Sequence, residues 1–172
     1  MKKILLGCLL ALGAALTLAG AETEPAVVNR DAAIGVGIWY DCPESLTTTD
    51  VSGFGLGLPL IVNGDLSGFS LALCGNRSLT VSGFQLALLG FNYAESLYGV
   101  QFSLLNFQKG QHGDFAFQMG FYNQAEENGV QFGLINNARN NATFQFGIFN
   151  LNKRGLLPVM LLFNFGRSED DD

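Results

Sequence analysis

The side chains that could carry catalysis or bind a metal are few in this sequence, and they are not grouped. His112 is the only histidine, so one chain cannot form a Ser-His-Asp triad or a multi-histidine metal site. Adjacent carboxylates occur only at Glu126-Glu127 and in the terminal run 169–172, patterns typical of solvated turns and tails. We therefore predict no catalytic residue, no cofactor and no metal site, and a protein that is not an enzyme.

The first 21 residues predict a secretory signal peptide. Lys2 and Lys3 precede an apolar run, 4–18, and Ala19-Gly20-Ala21 supplies the small residues of a cleavage site. The run has 15 residues, fewer than the ~20 that a transmembrane helix needs. We expect export and a mature chain that begins at Glu22. A transmembrane anchor and a lipoprotein signal at Cys8 are the alternatives.

Two cysteines follow the predicted cleavage site, Cys42 and Cys74. Exported proteins meet an oxidising compartment, in which paired cysteines are commonly bridged. We predict a Cys42–Cys74 disulfide, with two buried thiols as the alternative.

The composition excludes two broad classes of protein. Hydrophobic residues make up 48% of the chain and charged residues 14%, which excludes an intrinsically disordered protein, because such chains combine low hydrophobicity with high charge. The formal net charge is -6, and no basic cluster is present, so we predict no nucleic-acid partner.

One short pattern recurs through residues 51–166: Gln, large apolar, small, large apolar, large apolar, Asn. Eight copies begin at residues 55, 70, 85, 101, 118, 131, 145 and 159, so their spacing runs from 13 to 17 residues. The recurring positions comprise Gln85, Gln101, Gln118, Gln131 and Gln145; the small residues Gly120, Gly133 and Gly147; and Asn106, Asn123, Asn136, Asn150 and Asn164. A fixed period of this kind indicates a repeat architecture.

Each copy has the alternation and the flanking turn residues of a β-strand. One alternating face is bulky and apolar, and the other carries Gln followed by a small residue, which indicates that something crowds the middle of that face. The recurring Asn at the end of the strand is expected to open the turn. One further strand is predicted at Ala33–Tyr40, so the total is eight or nine.

We predict an all-β fold: an antiparallel meander closed into a small barrel, with lipid outside and the Gln column inside. A β-solenoid with stacked Asn and Gln side chains is the first alternative, although unequal spacing argues against coils of fixed length. A soluble barrel or sandwich with a Phe/Leu core is the second. The domains are then a signal peptide (1–21), an N-terminal segment (22–50), the β-repeat domain (51–166) and an acidic tail (167–172).

The repeats, and the closing segment Leu157–Phe165, resemble those of bacterial surface-repeat proteins, which are built from G-[LV]-Q-[LI]-G-[LI]-[LVI]-N units. The resemblance covers about residues 51–166, and the first two copies depart most from the pattern. It implies a place on the cell surface or in the envelope, and it brings no catalytic or binding residue with it.

These observations predict a non-enzymatic, exported envelope protein with a structural or adhesive role, at the outer membrane or cell surface, with the periplasm as the alternative location. Membrane or envelope components are its expected partners, and the sequence names no protein partner. The alternative function is a small-ligand or lipid carrier, or a narrow pore, with a Gln-lined interior.

Overall fold

A computed structural model describes residues 30–40, 42–110, 115–126, 128–139 and 143–166. The predicted signal peptide, His112 and the acidic tail lie outside these residues. Within them the chain forms eleven strands and one short helix. Their bounds are β1 Arg30–Gly37, α1 Glu44–Thr47, β2 Thr49–Gly57, β3 Leu60–Asn63, β4 Leu66–Ala72, β5 Gly75–Ala87, β6 Phe91–Phe102, β7 Leu105–Gln108, β8 Phe115–Ala125, β9 Asn128–Ala138, β10 Thr143–Asn152 and β11 Val159–Phe165.

The repeats stack as parallel strands in register, so that equivalent residues of successive copies lie beside each other. Gln85, Gln101, Gln118 and Gln131 are paired in this way from β5 to β9, and Gln145 of β10 continues the column. The same registers align the glycines and the bulky residues. The fold is all-β, as predicted, and its repeated parallel strands form a β-solenoid.

Each copy makes two short strands instead of one long one. In β8, residues Phe115–Met119 pair with β6, whereas Tyr122–Gln124 pair with β7. The chain bends between the two halves at Gly120. We call the two halves the first strand and the second strand of a coil. First strands stack on first strands and second strands on second strands, which gives two facing parallel sheets.

The antiparallel meander closed into a barrel is therefore wrong, and the solenoid alternative describes the molecule. The bend at the small residue reverses the chain inside each copy, so the next copy starts in the original direction and pairs parallel. The unequal spacing does not prevent stacking, because the connections differ in length. β7 is joined to β8 by 109–114, whereas Ala125 of β8 and Asn128 of β9 are separated by two residues.

The interior of the described coils is largely polar, and the exterior is largely apolar. The recurring Gln and Asn side chains from Asn76 to Asn150 are fully buried, whereas most of the large exposed hydrophobic residues are the Phe, Leu and Ile of the repeats. A soluble barrel or sandwich with a Phe/Leu core is therefore also wrong. Hydrocarbon also lies in the interior, in a cluster that begins near the start of the solenoid with Leu46 and Ile61 and reaches Ala116 in β8.

The two ends of the solenoid differ. The strand predicted at Ala33–Tyr40 is found in part: β1 covers Arg30–Gly37, ends before Ile38, and pairs parallel to β2. The last copy does not stack as a coil, because β11 turns back and runs antiparallel to β10. Opposite Gly147, Leu162 adopts a positive φ of 71°, where the pairing shifts register. β11 thus covers the last coil with a reversed strand.

Candidate functional site

The Gln column joins successive first strands through side-chain hydrogen bonds. Gln101 Nε2 donates to Gln85 Oε1 over 3.0 Å, Gln118 to Gln101 over 2.9 Å and Gln131 to Gln118 over 2.8 Å. Gln145 ends the column with a 2.9 Å bond to Gln131. Donation always runs toward the preceding coil. These fully buried amides fill the interior of the described coils.

The Asn column joins successive second strands, and its donors point the opposite way. Asn106 Nδ2 donates to Asn123 Oδ1 over 2.9 Å, Asn123 to Asn136 over 2.8 Å and Asn136 to Asn150 over 2.8 Å. Asn76 and Asn92 extend the column toward the N-terminus. Buried amides in a low-dielectric interior strengthen one another when every group is paired.

Each of these Asn side chains also holds the bend of the neighbouring coil. The second Nδ2 hydrogen of Asn123 bonds the Phe132 carbonyl oxygen over 2.8 Å, and that of Asn136 bonds the Phe146 carbonyl oxygen over 3.0 Å. Phe132 and Phe146 directly precede the small residue at which the chain bends. The prediction that Asn opens the turn at the end of the strand is therefore wrong, since these Asn side chains are buried within the second strands and act beneath the bend.

The small residues at the bend lie against this amide column. A Cβ added to Gly133 would collide with the Gly120 carbonyl oxygen and the Asn123 Nδ2, and one added to Gly147 would collide with the Gly133 carbonyl oxygen. Backbone atoms cannot move aside as a flexible side chain can. The crowding predicted for this column is therefore real, and its cause is a neighbouring backbone.

One edge of the solenoid consists of the bends and is uninterruptedly apolar. An apolar residue follows the small residue in each of seven bends; six of these side chains are between 39% and 58% exposed, and the seventh, Leu73, packs against the buried cluster of Leu60, Cys74 and Phe91. We call this set the apolar edge: Leu58, Leu73, Leu88, Leu104, Phe121, Leu134 and Ile148. It crosses every coil.

The apolar surface continues from this edge onto both outer sheet faces. Phe146 on the first-strand face and Phe149 on the second-strand face are 52% and 49% exposed. On the first-strand face, rings of successive coils stack, as at Phe69 and Phe84 with centroids 5.2 Å apart. A groove of about 440 Å³ runs along the junction of this face with the edge, beside Leu104.

The opposite edge carries the charge. It consists of the connections between each second strand and the first strand of the next coil. Charged residues occur in nearly all of these connections, namely Asp65, Glu95, Lys109, Glu126, Arg139, Lys153 and Arg154. Among the described residues between Val51 and Gly166, the one other charged residue is Arg77, two residues before a connection. We call this set the charged edge.

Tyr93 is the titratable group whose environment alters it most clearly. Burial raises the pKa of the Tyr93 phenol, and the Glu95 carboxylate raises it further, while the Arg77 guanidinium acts in the opposite direction. Arg77 lies over the Tyr93 ring and also donates to the Tyr40 hydroxyl over 2.8 Å. A phenol is already neutral at physiological pH, and the raised pKa of Tyr93 makes its ionisation less favourable still.

The remaining predicted residues are placed as follows. Cys42 is an exposed free thiol, and Cys74 is buried beside Leu60 and Phe91, so the predicted Cys42–Cys74 disulfide is not formed. Asn164 does not join the Asn column, because it lies on the antiparallel β11 and donates to the Leu157 carbonyl oxygen over 2.9 Å. Among the described residues, no group of three His, Cys, Asp or Glu side chains could hold a metal ion.

No helix formed by the described residues has the length and the apolar character needed to cross a bilayer. Comparison with protein-family models, with curated proteins and with solved structures finds no significant match. The resemblance to bacterial surface-repeat proteins therefore stays a prediction.

The sequence analysis did not identify the two edges. Its alternating faces treat each copy as one straight strand, which assigns Leu104 and Leu134 to the same face as Phe102 and Phe132. The signal was present, however, because the charged residues of 51–166 fall almost entirely between copies of the repeat. In a solenoid, equivalent positions of successive repeats lie on the same edge. Charged residues that occur only between copies of the repeat are therefore brought together on one edge.

Proposed function

We propose that this protein is a non-enzymatic, exported surface-repeat protein that stays with the cell envelope and has a structural or adhesive role. The observation that carries the proposal is the inverted distribution of polarity. Fully buried amides fill the solenoid, while Phe, Leu and Ile of successive coils face outward. Contiguous apolar surface of this extent is typical of protein or membrane contact sites.

The interior supports a structural role over transport. A carrier or pore needs internal space, whereas Gln118, Gln131 and Asn123 are completely buried and bonded to their neighbours in the adjacent coils. Hydrogen-bonded ladders of this kind tie each coil to the next and keep the stack in register. Contact with other molecules is therefore assigned to the outer surface.

Cell fractionation tests this proposal. The full chain is expressed in a bacterium that has an outer membrane, and soluble and membrane fractions are compared with those of a variant lacking residues 1–21. We expect the full chain to sediment with membranes, to begin at Glu22 by mass spectrometry, and to need detergent for release. The shortened variant should remain in the cytoplasm. Recovery of the full chain in the soluble periplasmic extract would contradict envelope retention.

A further inference from the structure

We infer that the apolar edge inserts into a single lipid leaflet while the charged edge remains in water. This inference deepens the proposed function and rests on it, because it names the acyl layer of a membrane as the partner of the solenoid. Three observations carry it: the backbone bonding at the apolar edge, the separation of charge from that edge, and the way the apolar surface wraps around the bend.

The first observation is that backbone polar groups at the apolar edge are paired within the protein. Leu73 N donates to the Gly57 carbonyl oxygen over 3.0 Å, Leu88 N to that of Ala72 over 3.1 Å, and Phe121 N to that of Leu104 over 2.9 Å. Lipid supplies no hydrogen bonds, so each unpaired backbone group would cost several kcal/mol there.

The carbonyl oxygens beside the bend are paired by the Asn column. Asn76 Nδ2 bonds the Leu86 carbonyl oxygen over 3.0 Å, and Asn106 Nδ2 bonds that of Met119 over 2.9 Å. Leu86 and Met119 each precede the small residue of a bend. Asn76 and Asn106 are fully buried, so these bonds satisfy the carbonyl groups from the interior without help from water. An edge that enters hydrocarbon requires backbone groups that are satisfied within the protein in this way.

The second observation is the distance between the two edges. Arg139 on the charged edge lies five positions after Leu134 on the apolar edge, which corresponds to ~17 Å of extended chain. Half of a ~30 Å hydrocarbon core is ~15 Å. The solenoid can therefore submerge the bend in one leaflet with its charges at the level of the headgroups, and it is too narrow to span the bilayer.

The third observation distinguishes lipid from a second copy of this chain. The apolar surface covers the bend and both flanking faces, because Phe146 and Phe149 lie on opposite sheets and are about equally exposed. A rigid partner can cover one of these faces, whereas fluid acyl chains surround a convex edge on both sides. The apolar edge also lacks Lys and Arg, so insertion does not depend on anionic lipid.

Tryptophan quenching by brominated lipid tests the insertion directly. Trp39, the native tryptophan, is replaced by Phe, and a single reporter is introduced either on the apolar edge, Leu104→Trp, or on the charged edge at exposed Thr80, Thr80→Trp. Purified exported protein is mixed with phosphatidylcholine vesicles that carry bromine on the acyl chains. We expect at least twofold quenching and a blue shift for Leu104→Trp, and neither for Thr80→Trp.

A partition measurement completes the test. Leu134→Glu should lower binding to phosphatidylcholine vesicles by at least tenfold, because it replaces an inserted apolar side chain with a charged one, while Thr80→Glu should leave binding unchanged. Circular dichroism confirms that each variant is folded, and the two Trp reporters decide the question if Leu134→Glu is not. Equal quenching of both reporters, or a lipid-free dimer that does not bind vesicles, would overturn the inference. Vesicle binding together with a periplasmic location in cells would refute envelope retention and leave the insertion standing.

Discussion

The first coils of the solenoid and the later ones share one backbone path but are filled in different ways. In the first coils, Gly55 and Ser70 occupy the Gln column and Ile61 occupies the Asn column. A hydrocarbon cluster begins there and continues to Leu97 in β6 and Ala116 in β8. From β5 to β10 the same interior positions hold Gln and Asn. The coil geometry therefore accepts either filling, provided that each is complete.

The bends differ in length along the solenoid. Two residues, such as Leu58-Pro59, separate the small residue from the second strand in the first coils, three residues (88–90) do so after Ala87, and a single residue, such as Leu134, does so in the later coils. The tighter bend brings the small residue onto the Asn column, as the contacts around Gly133 show. The amide filling does not require this short bend, because Gln85 and Asn92 belong to the amide columns and lie on either side of the three-residue bend.

Replacement of a central Asn should have the largest effect. Asn123→Leu leaves the Asn106 amide hydrogen, the Asn136 Oδ1 and the Phe132 carbonyl oxygen each without a bond that Asn123 now makes. An unpaired buried polar group costs about 1–3 kcal/mol, so we expect a loss of about 3–6 kcal/mol in the free energy of unfolding. Urea denaturation measures it.

The matched control lies in the same column of the first coils. Ile61→Val removes one methylene from the hydrocarbon filling and should cost about 1 kcal/mol. If Asn123→Leu lost only a similar amount of stability, the hydrogen bonds of the amide column would add nothing to the free energy of unfolding beyond side-chain packing. The distinction between the two fillings would then fail.

The Gln column should show a gradient from its middle to its end. Gln118→Leu leaves the Gln131 amide hydrogen and the Gln101 Oε1 without their present partner, which should cost about 2–4 kcal/mol. Gln145→Leu should cost about 1 kcal/mol less, because Gln145 Oε1 is already buried without a partner among the described residues. Thermal unfolding of both variants measures the difference, and equal losses would contradict a cooperative ladder.

The bends should be more sensitive than the outer face. Gly133→Ala forces a Cβ against the Gly120 carbonyl oxygen and the Asn123 amide, and overpacking of this kind costs about 1–3 kcal/mol. Phe132→Leu, at the neighbouring half-buried position, should cost about 1 kcal/mol or less. Denaturant midpoints of the two variants test this order. The reverse order would identify the Phe face as the tightly packed part of the protein.

This contrast also explains which features could be predicted from the sequence. Period and alternation predicted an all-β repeat, the outward Phe face and the buried Gln face, because these depend on side-chain polarity alone. The direction of pairing could not be derived, because a bend at Gly133 and a straight strand through it have the same residue pattern. The first copies depart from the repeat pattern in the sequence. In the structure, their Ile61 and Ser70 occupy the positions that Asn and Gln hold in the later coils.

The smallest expected effect concerns the junction of the two fillings. Ser70 Oγ donates to Asn76 Oδ1 over 2.6 Å and so closes the N-terminal end of the Asn column. Ser70→Ala removes this one bond, while Asn76 keeps its bonds to Leu86 and Asn92. A single lost hydrogen bond costs about 1 kcal/mol. The control is Ser67→Ala, at an exposed position of the same strand, which should change stability by less than about 0.5 kcal/mol.

Urea titrations of the two variants measure these losses. If Ser70→Ala lost as much stability as Asn123→Leu, the hydrocarbon coils and the amide coils would unfold as one unit held by this junction. A loss near 1 kcal/mol means that the amide column is stabilised along its length and needs the serine only to close its end.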